Sequence, residues 1–161
     1  MTTPTPVANS YITTVEEADA MVLTRPNSSA WTGASKSAAL QEATRRIDSI
    51  PLRGKKYDLD TPQTREFPRT IDNTIVDLDT DGLTPKVPDI VKWAVLEEAI
   101  AILDISAPDS TLRRRLQQDG VASAGYSGTS ETFIPGAGSR RCGLQSQQAY
   151  NYMRRYIGIT V

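Results

Sequence analysis

The chain has 161 residues and balances 18 Lys/Arg against 19 Asp/Glu for a net charge of −1, whereas a protein whose main task is neutralising phosphates usually carries a basic excess. It has no histidine and a single cysteine, Cys142, which removes the commonest general base, the commonest zinc ligand and any intrachain disulfide. No apolar run approaches the roughly 20 residues of a membrane span, and the start, MTTPTPVANS, has neither the basic nor the apolar part of a signal peptide, so a soluble product of a cytosol is expected.

The charges are unevenly spread. Residues 1–57 hold seven Lys/Arg and five Asp/Glu, residues 58–109 four and twelve, and residues 110–161 seven and two. An acidic middle and a basic end could pair head to side between identical copies, although solvated faces explain such charges as well.

In chain order, residues 1–10 are small, polar and Pro-containing, and a flexible arm is expected over 1–12. Thr13 and Glu16 have capping-box spacing, and Val15, Ala18, Met21 and Val22 repeat at helical spacing, predicting a first helix over 14–24. Trp31 falls in the next loop and is expected to lie over the core. Ser35 opens a second helix running to about Ser49, with Ala39, Leu40, Ala43, Ile47 and Ile50 inward and Glu42–Arg46 as an outer i,i+4 pair. Pro51 ends it, and Leu52–Tyr57 reads as a basic turn. Residues 58–87, with Phe67-Pro68-Arg69 among them, read as a long irregular loop with room for a short strand over Ile75–Leu78.

Pro88 suits a first helical position and Asp89 the positive dipole end, opening the strongest helix, 88–104. It turns Ile90, Val91, Ala94, Val95, Ala99, Ile102 and Leu103 inward and has Trp93 alongside. Glu97 and Glu98 are adjacent, so they diverge and are expected at the surface, as are Glu16 and Glu17. Leu112–Gln118 is a short basic helix closed by Gly120. Residues 121–134 form a hairpin about Ser127-Gly128, and Gly136-Ala137-Gly138 is a hinge. A last helix over 146–156 gathers Ala149, Tyr152, Met153 and Tyr156, and Ile157–Val161 is an apolar tail without a partner in the chain. The expected fold is mainly α: a small bundle of about four to five helices with a short β-hairpin, a long irregular loop and extended termini. It is one domain over 1–161, divided into the arm (1–12), a helical core with the loop 58–87 (13–118), the hairpin (119–135) and a linker with the C-terminal helix and tail (136–161).

Asp77, Asp79, Asp81 and Gly82 occupy positions 1, 3, 5 and 6 of a calcium loop, but position 12 is Pro88 where a bidentate Glu is required, so a solvated acidic turn is the stronger reading. Arg113, Arg114 and Arg115 could meet phosphate, yet on one short helix they point apart, and a subunit contact fits better. Cys142 has no histidine to activate it, and Gly136-Ala137-Gly138 is too short for a phosphate cradle. No nucleophile, base and orienting group can be assembled, so neither an enzyme nor a cofactor is expected.

The order of landmarks resembles a phage family: Asn9-Ser10-Tyr11-Ile12, Thr14–Asp19, Trp31, Ala43–Asp48, Leu52-Arg53-Gly54, Phe67-Pro68-Arg69, Val87–Ala94, Glu97-Glu98-Ala99, the Arg-rich helix and the Ser130-Glu131-Thr132 strand. The chain looks like the head–tail adaptor (head-completion) proteins of long-tailed phages, and a similar group carries the label DnaT-like single-stranded DNA-binding protein. The resemblance implies a ring, twelve-fold in expectation, between the portal and a stopper or tail-completion protein. Double-stranded DNA would pass through its lumen without specific binding. It implies assembly in a bacterial cytoplasm and residence in the virion, with no membrane. Tyr152, Tyr156, Ile157, Ile159 and Val161 are then candidates for gripping the portal, and Arg113, Arg114, Arg115, Tyr126 and Phe133 for meeting sister subunits. The alternative is a single-stranded DNA-binding module using Tyr126, Phe133 and the three arginines.

Overall fold

The chain folds around its most apolar segment, residues 89–103. The structure, a computed structural model, describes residues 4–26, 29–57, 63–104, 123–126, 129–132 and 142–158, the ranges 123–126 and 129–132 by their backbone alone. Among the described residues are four helices: α1 (Val15–Leu23), α2 (Lys36–Asp48), α3 (Asp89–Leu103) and α4 (Gln147–Met153). There are also five short strands: β1 (Lys55–Lys56), β2 (Arg69–Ile71), β3 (Thr74–Ile75), β4 (Ser123–Tyr126) and β5 (Thr129–Thr132).

In α3, Val91, Ala94, Val95, Leu96 and Ala99 are fully buried, as expected of a helix apolar around most of its circumference. It packs between α2, which contributes Ala39, Leu40, Ala43 and Ile47, and α4, which contributes Ala149 and Met153. Full burial of each large aliphatic side chain stabilises by about 1.5–3 kcal/mol. Pro88 stands one residue earlier than expected, at the N-cap, and Asp89 is the first helical residue. The cap of α1 is likewise shifted by one: Thr14 Oγ1 accepts from Glu17 N at 3.1 Å, and the Glu17 carboxylate accepts from Thr13 N at 2.8 Å.

The expected mainly-α bundle is corrected to a mixed fold. The stretch 58–87 is not simply irregular. Its described part holds β2 and β3, and with β1 these make an antiparallel sheet in the order β1-β2-β3. Asp72 and Asn73, both with positive φ (51° and 61°), form the two-residue turn that joins Ile71 to Thr74. Strands of two or three residues are too short for alternation to reveal them. The hairpin of β4 and β5 is present, with Tyr126 opposite Thr129.

The described part of the N-terminal arm, residues 4–12, is also folded. Val7 N donates to Thr13 O (2.8 Å) and Val15 N to Thr5 O (3.1 Å), and Val7, Tyr11 and Ile12 enter the core. The Tyr11 hydroxyl donates to the Asp48 carboxylate and accepts from the Glu66 and Phe67 N–H groups at 3.1 and 3.0 Å. This ties the arm to the end of α2 and to the loop before β2. Trp31 lies over the core as expected, its Nε1 donating to Asp19 at 2.7 Å.

Glu97 and Glu98 correct another expectation, since both are buried. Because α3 is enclosed on nearly all sides, adjacent positions both face protein. Glu97 pairs with Arg25 at 2.6 Å, and burial still holds its pKa above the ordinary value. The Glu98 carboxylate accepts from Arg46 Nη1 (2.9 Å), Gln145 N (3.0 Å) and Ser146 N (2.9 Å). It thereby fixes the segment that leads into α4.

Candidate functional site

Two stretches far apart in sequence meet at one edge of the sheet. Gly54 has φ +75°, and a Cβ there would lie 2.1 Å from Thr70 O, so only glycine lets β1 approach β2. Arg69, 4% exposed, donates from Nε to Arg53 O (2.9 Å) and from Nη2 to Gly54 O (2.9 Å) and Leu52 O (3.3 Å). Its Nη1 is paired with the Glu66 carboxylate. One guanidinium therefore holds the carbonyls of the whole turn before β1, using the planar fork that distinguishes Arg from Lys. The landmarks Leu52-Arg53-Gly54 and Phe67-Pro68-Arg69 are thus two sides of one joint.

The chain after α4 closes on the same turn. Arg53 N donates to Tyr156 O (2.7 Å), Gly158 N donates to Pro51 O (2.8 Å), and Leu52 bridges Ile157 in antiparallel fashion. The Tyr156 ring packs edge-on against Phe67, with centroids 5.2 Å apart. The result sets the stretch that runs into β1, with Arg53, Lys55 and Lys56, beside the one that carries Arg154 and Arg155; neither residues 53–57 nor 154–158 contain a carboxylate, although Asp77 lies near enough to act on Tyr156.

Arg53 reaches Asp72 loosely at 3.6 Å, and Lys56 pairs with Glu66 at 3.2 Å. Lys55, Arg154 and Arg155 are exposed and stand in no ion pair among the described residues. The Arg155 guanidinium lies over the Tyr156 ring, 5.2 Å from its centroid. Burial raises the Tyr156 phenol above its ordinary pKa, against the opposing pull of the neighbouring Arg155 guanidinium. Tyr57, 43% exposed, follows directly on β1 and is the one exposed aromatic among the residues whose side chains are described. Such an edge attracts polyanions electrostatically and offers a ring face for stacking.

The other candidate residues are distributed differently. Tyr156 is 3% exposed, and Ile157 is half-buried against the core. These two find their partners within the chain, which corrects the free apolar tail, while Tyr152 is half-buried. Ile159, Val161, Arg113, Arg114, Arg115 and Phe133 lie outside the described residues, as do the hinge Gly136–Gly138 and the short basic helix. Of Tyr126 only the backbone, in β4, is described.

Asp77, Asp79 and Asp81 do not converge, and no group of three acidic, Cys or His side chains suited to a metal ion occurs among the described residues. They sit in a closed turn in which Asp79 N donates to Thr84 O (2.7 Å) and Lys86 N to Asp77 O (3.2 Å). The Asp81 carboxylate accepts from Leu83 N and Thr84 N (2.8 Å each) and from the Thr84 hydroxyl, which brings its pKa down to about 2.

Sequence reading took Leu52–Tyr57 as a basic turn and Leu52-Arg53-Gly54 as a landmark, but did not single out Arg154 or Arg155 or join them to that turn. Their meeting depends on a pairing of distant segments that no local pattern encodes. The run of cations without a carboxylate in residues 53–57 was the only local signal.

The fold and this edge define a small mixed α/β domain that presents a cationic, tyrosine-bearing strand edge. The chain belongs to the family described as "Putative DnaT-like ssDNA binding protein", whose model matches residues 2–153. Of the two labels that the resemblance carried, the match bears the DnaT-like one. No curated protein and no solved structure matches the chain.

Proposed function

We propose that the protein is a single-stranded DNA-binding module, not an enzyme, and that the edge formed by residues 53–57 and 154–157 is its contact surface. The observation that carries this reading is the pairing of Arg53 with Tyr156, which joins two carboxylate-free cationic stretches of a chain whose net charge is −1. Family membership, over residues 2–153, supports the single-stranded DNA-binding role independently of the surface chosen. A net charge of −1 is compatible with this role because the acidic residues are concentrated in 58–109, and attraction of a strand depends on the local field.

Three to five phosphates met along the edge give a slope of log K against log salt of roughly −2 to −3.5, at about 0.7 per phosphate on a single strand. Anisotropy titration of a labelled oligothymidylate at several salt concentrations measures this. The triple variant Lys55→Ala, Arg154→Ala, Arg155→Ala should flatten the slope by about two units. An absence of binding to the wild-type protein at low salt overturns the proposal.

The second reading is the head–tail adaptor, a ring of copies between portal and stopper in the virion. Leu23 and Leu83 favour it: they stand 86% and 80% exposed on separate elements, as apolar tips that neighbouring subunits would cover. Electron microscopy of the protein mixed with portal tests it. Ring density beneath the portal supports the adaptor, and portal particles without added density count against it.

A further inference from the structure

We infer that Tyr57 is a stacking platform for an unpaired nucleic-acid base, an assignment that rests on the single-strand reading above. Stacking asks for an aromatic ring that is open to solvent and held by a backbone already ordered, so that little freedom is lost on binding. Tyr57 meets both conditions. Its N–H donates to Pro68 O at 3.1 Å, extending the β1–β2 ladder by one residue beyond Lys55–Thr70 and Lys56–Arg69. On the other side of β1, the Arg69 guanidinium fixes the carbonyls of residues 52–54. The backbone is thus held before and after β1, and only the two side-chain torsions of the tyrosine remain to be ordered.

Placement points the same way. Alternation along an extended strand puts Lys55 and Tyr57 on one face, about 6.6 Å apart. An ammonium for a phosphate and a ring for the neighbouring base then lie side by side. Tyrosine carries no charge, so the share assigned to Tyr57 is stacking, not charge. A π-face accepts any base, and the site is therefore tolerant of sequence.

The test compares an oligothymidylate with a base-free deoxyribose-phosphate strand of equal length, titrated by anisotropy into wild type, Tyr57→Ala and Tyr57→Phe. Tyr57→Ala should bind the oligothymidylate about 5- to 150-fold more weakly, with the salt slope and the affinity for the base-free strand unchanged. Tyr57→Phe should restore binding. Thermal melting of each variant establishes that it is folded, as the exposure of Tyr57 leads one to expect. If Tyr57→Ala binds the oligothymidylate as tightly as wild type, this inference falls and the single-strand reading stands. If wild type binds neither strand, both fall together.

Discussion

Replacing Glu98 with alanine removes the buried anion on which the C-terminal segment is seated. Glu98 is 0% exposed and accepts from Arg46 Nη1, Gln145 N and Ser146 N. Hydrogen bonds to a charged group contribute about 1.5–3 kcal/mol each, but their sum overstates the loss. The Arg46 side chain is 28% exposed and keeps Glu42 at 3.1 Å, so it can rehydrate. The two backbone N–H groups are half-buried and lose their acceptor. Removing one partner of a buried charged network costs about 3–5 kcal/mol, and we expect the lower part of that range, about 3–4 kcal/mol. For a chain of this size that is a fall in melting temperature of about 6–16 °C. Urea denaturation followed by circular dichroism gives the stability change. Hydrogen exchange should locate early opening in residues 144–158 while α2 and the first part of α3 stay protected. Glu98→Gln, which keeps the shape and one acceptor, should lose about half as much. A Glu98→Ala variant within about 1 kcal/mol of wild type, or one that opens evenly along the chain, would refute the reasoning.

Three further outcomes are expected. Gly54→Ala, placing a methyl 2.1 Å from Thr70 O at φ +75°, should cost at least about 2 kcal/mol by urea denaturation. Burial raises the Asp48 carboxyl above its ordinary 3.8; the folded form therefore holds the proton more tightly than the unfolded one, and this stabilisation, full below 3.8, is lost as pH rises through the folded value. The stability of wild type relative to Asp48→Asn should accordingly decline as the pH is raised from below the ordinary 3.8. Because the Asp81 carboxylate is occupied by Leu83 and Thr84, calorimetry with calcium should give no binding heat, and a stoichiometric exotherm would contradict the turn described here.

How much could be read in advance depended on the range of the interactions involved. The stripe Ala39, Leu40, Ala43, Ile47 and Ile50 and the enclosed face of α3 were legible because 3.6-residue periodicity is local, and all five members of that stripe are buried. The small sheet was missed because its pairing is set by the Asp72-Asn73 turn and by Arg69, a buried cation reaching back sixteen residues to Arg53 O. A charged side chain in a polar loop carries no sign that it will act as an internal clamp. Glu98 was assigned to the surface for the same reason, since composition cannot foretell that Arg46 and two N–H groups will surround it. The cationic edge was half legible: the cluster at 53–57 was visible, but its junction with Arg154 and Arg155 is a tertiary fact.

The junction of Arg53 with Tyr156 also bears on how the chain is made. Translation at roughly 5–20 residues per second separates the two segments by about 5–20 s. Throughout that interval the nascent molecule displays the 51–53 edge and the face of Phe67 uncovered, and an uncovered strand edge is open to foreign pairing. A ribosome stalled before Tyr156 should therefore hold a sticky, unfinished molecule, which is sealed once residues 156–158 are free to reach the 51–53 edge.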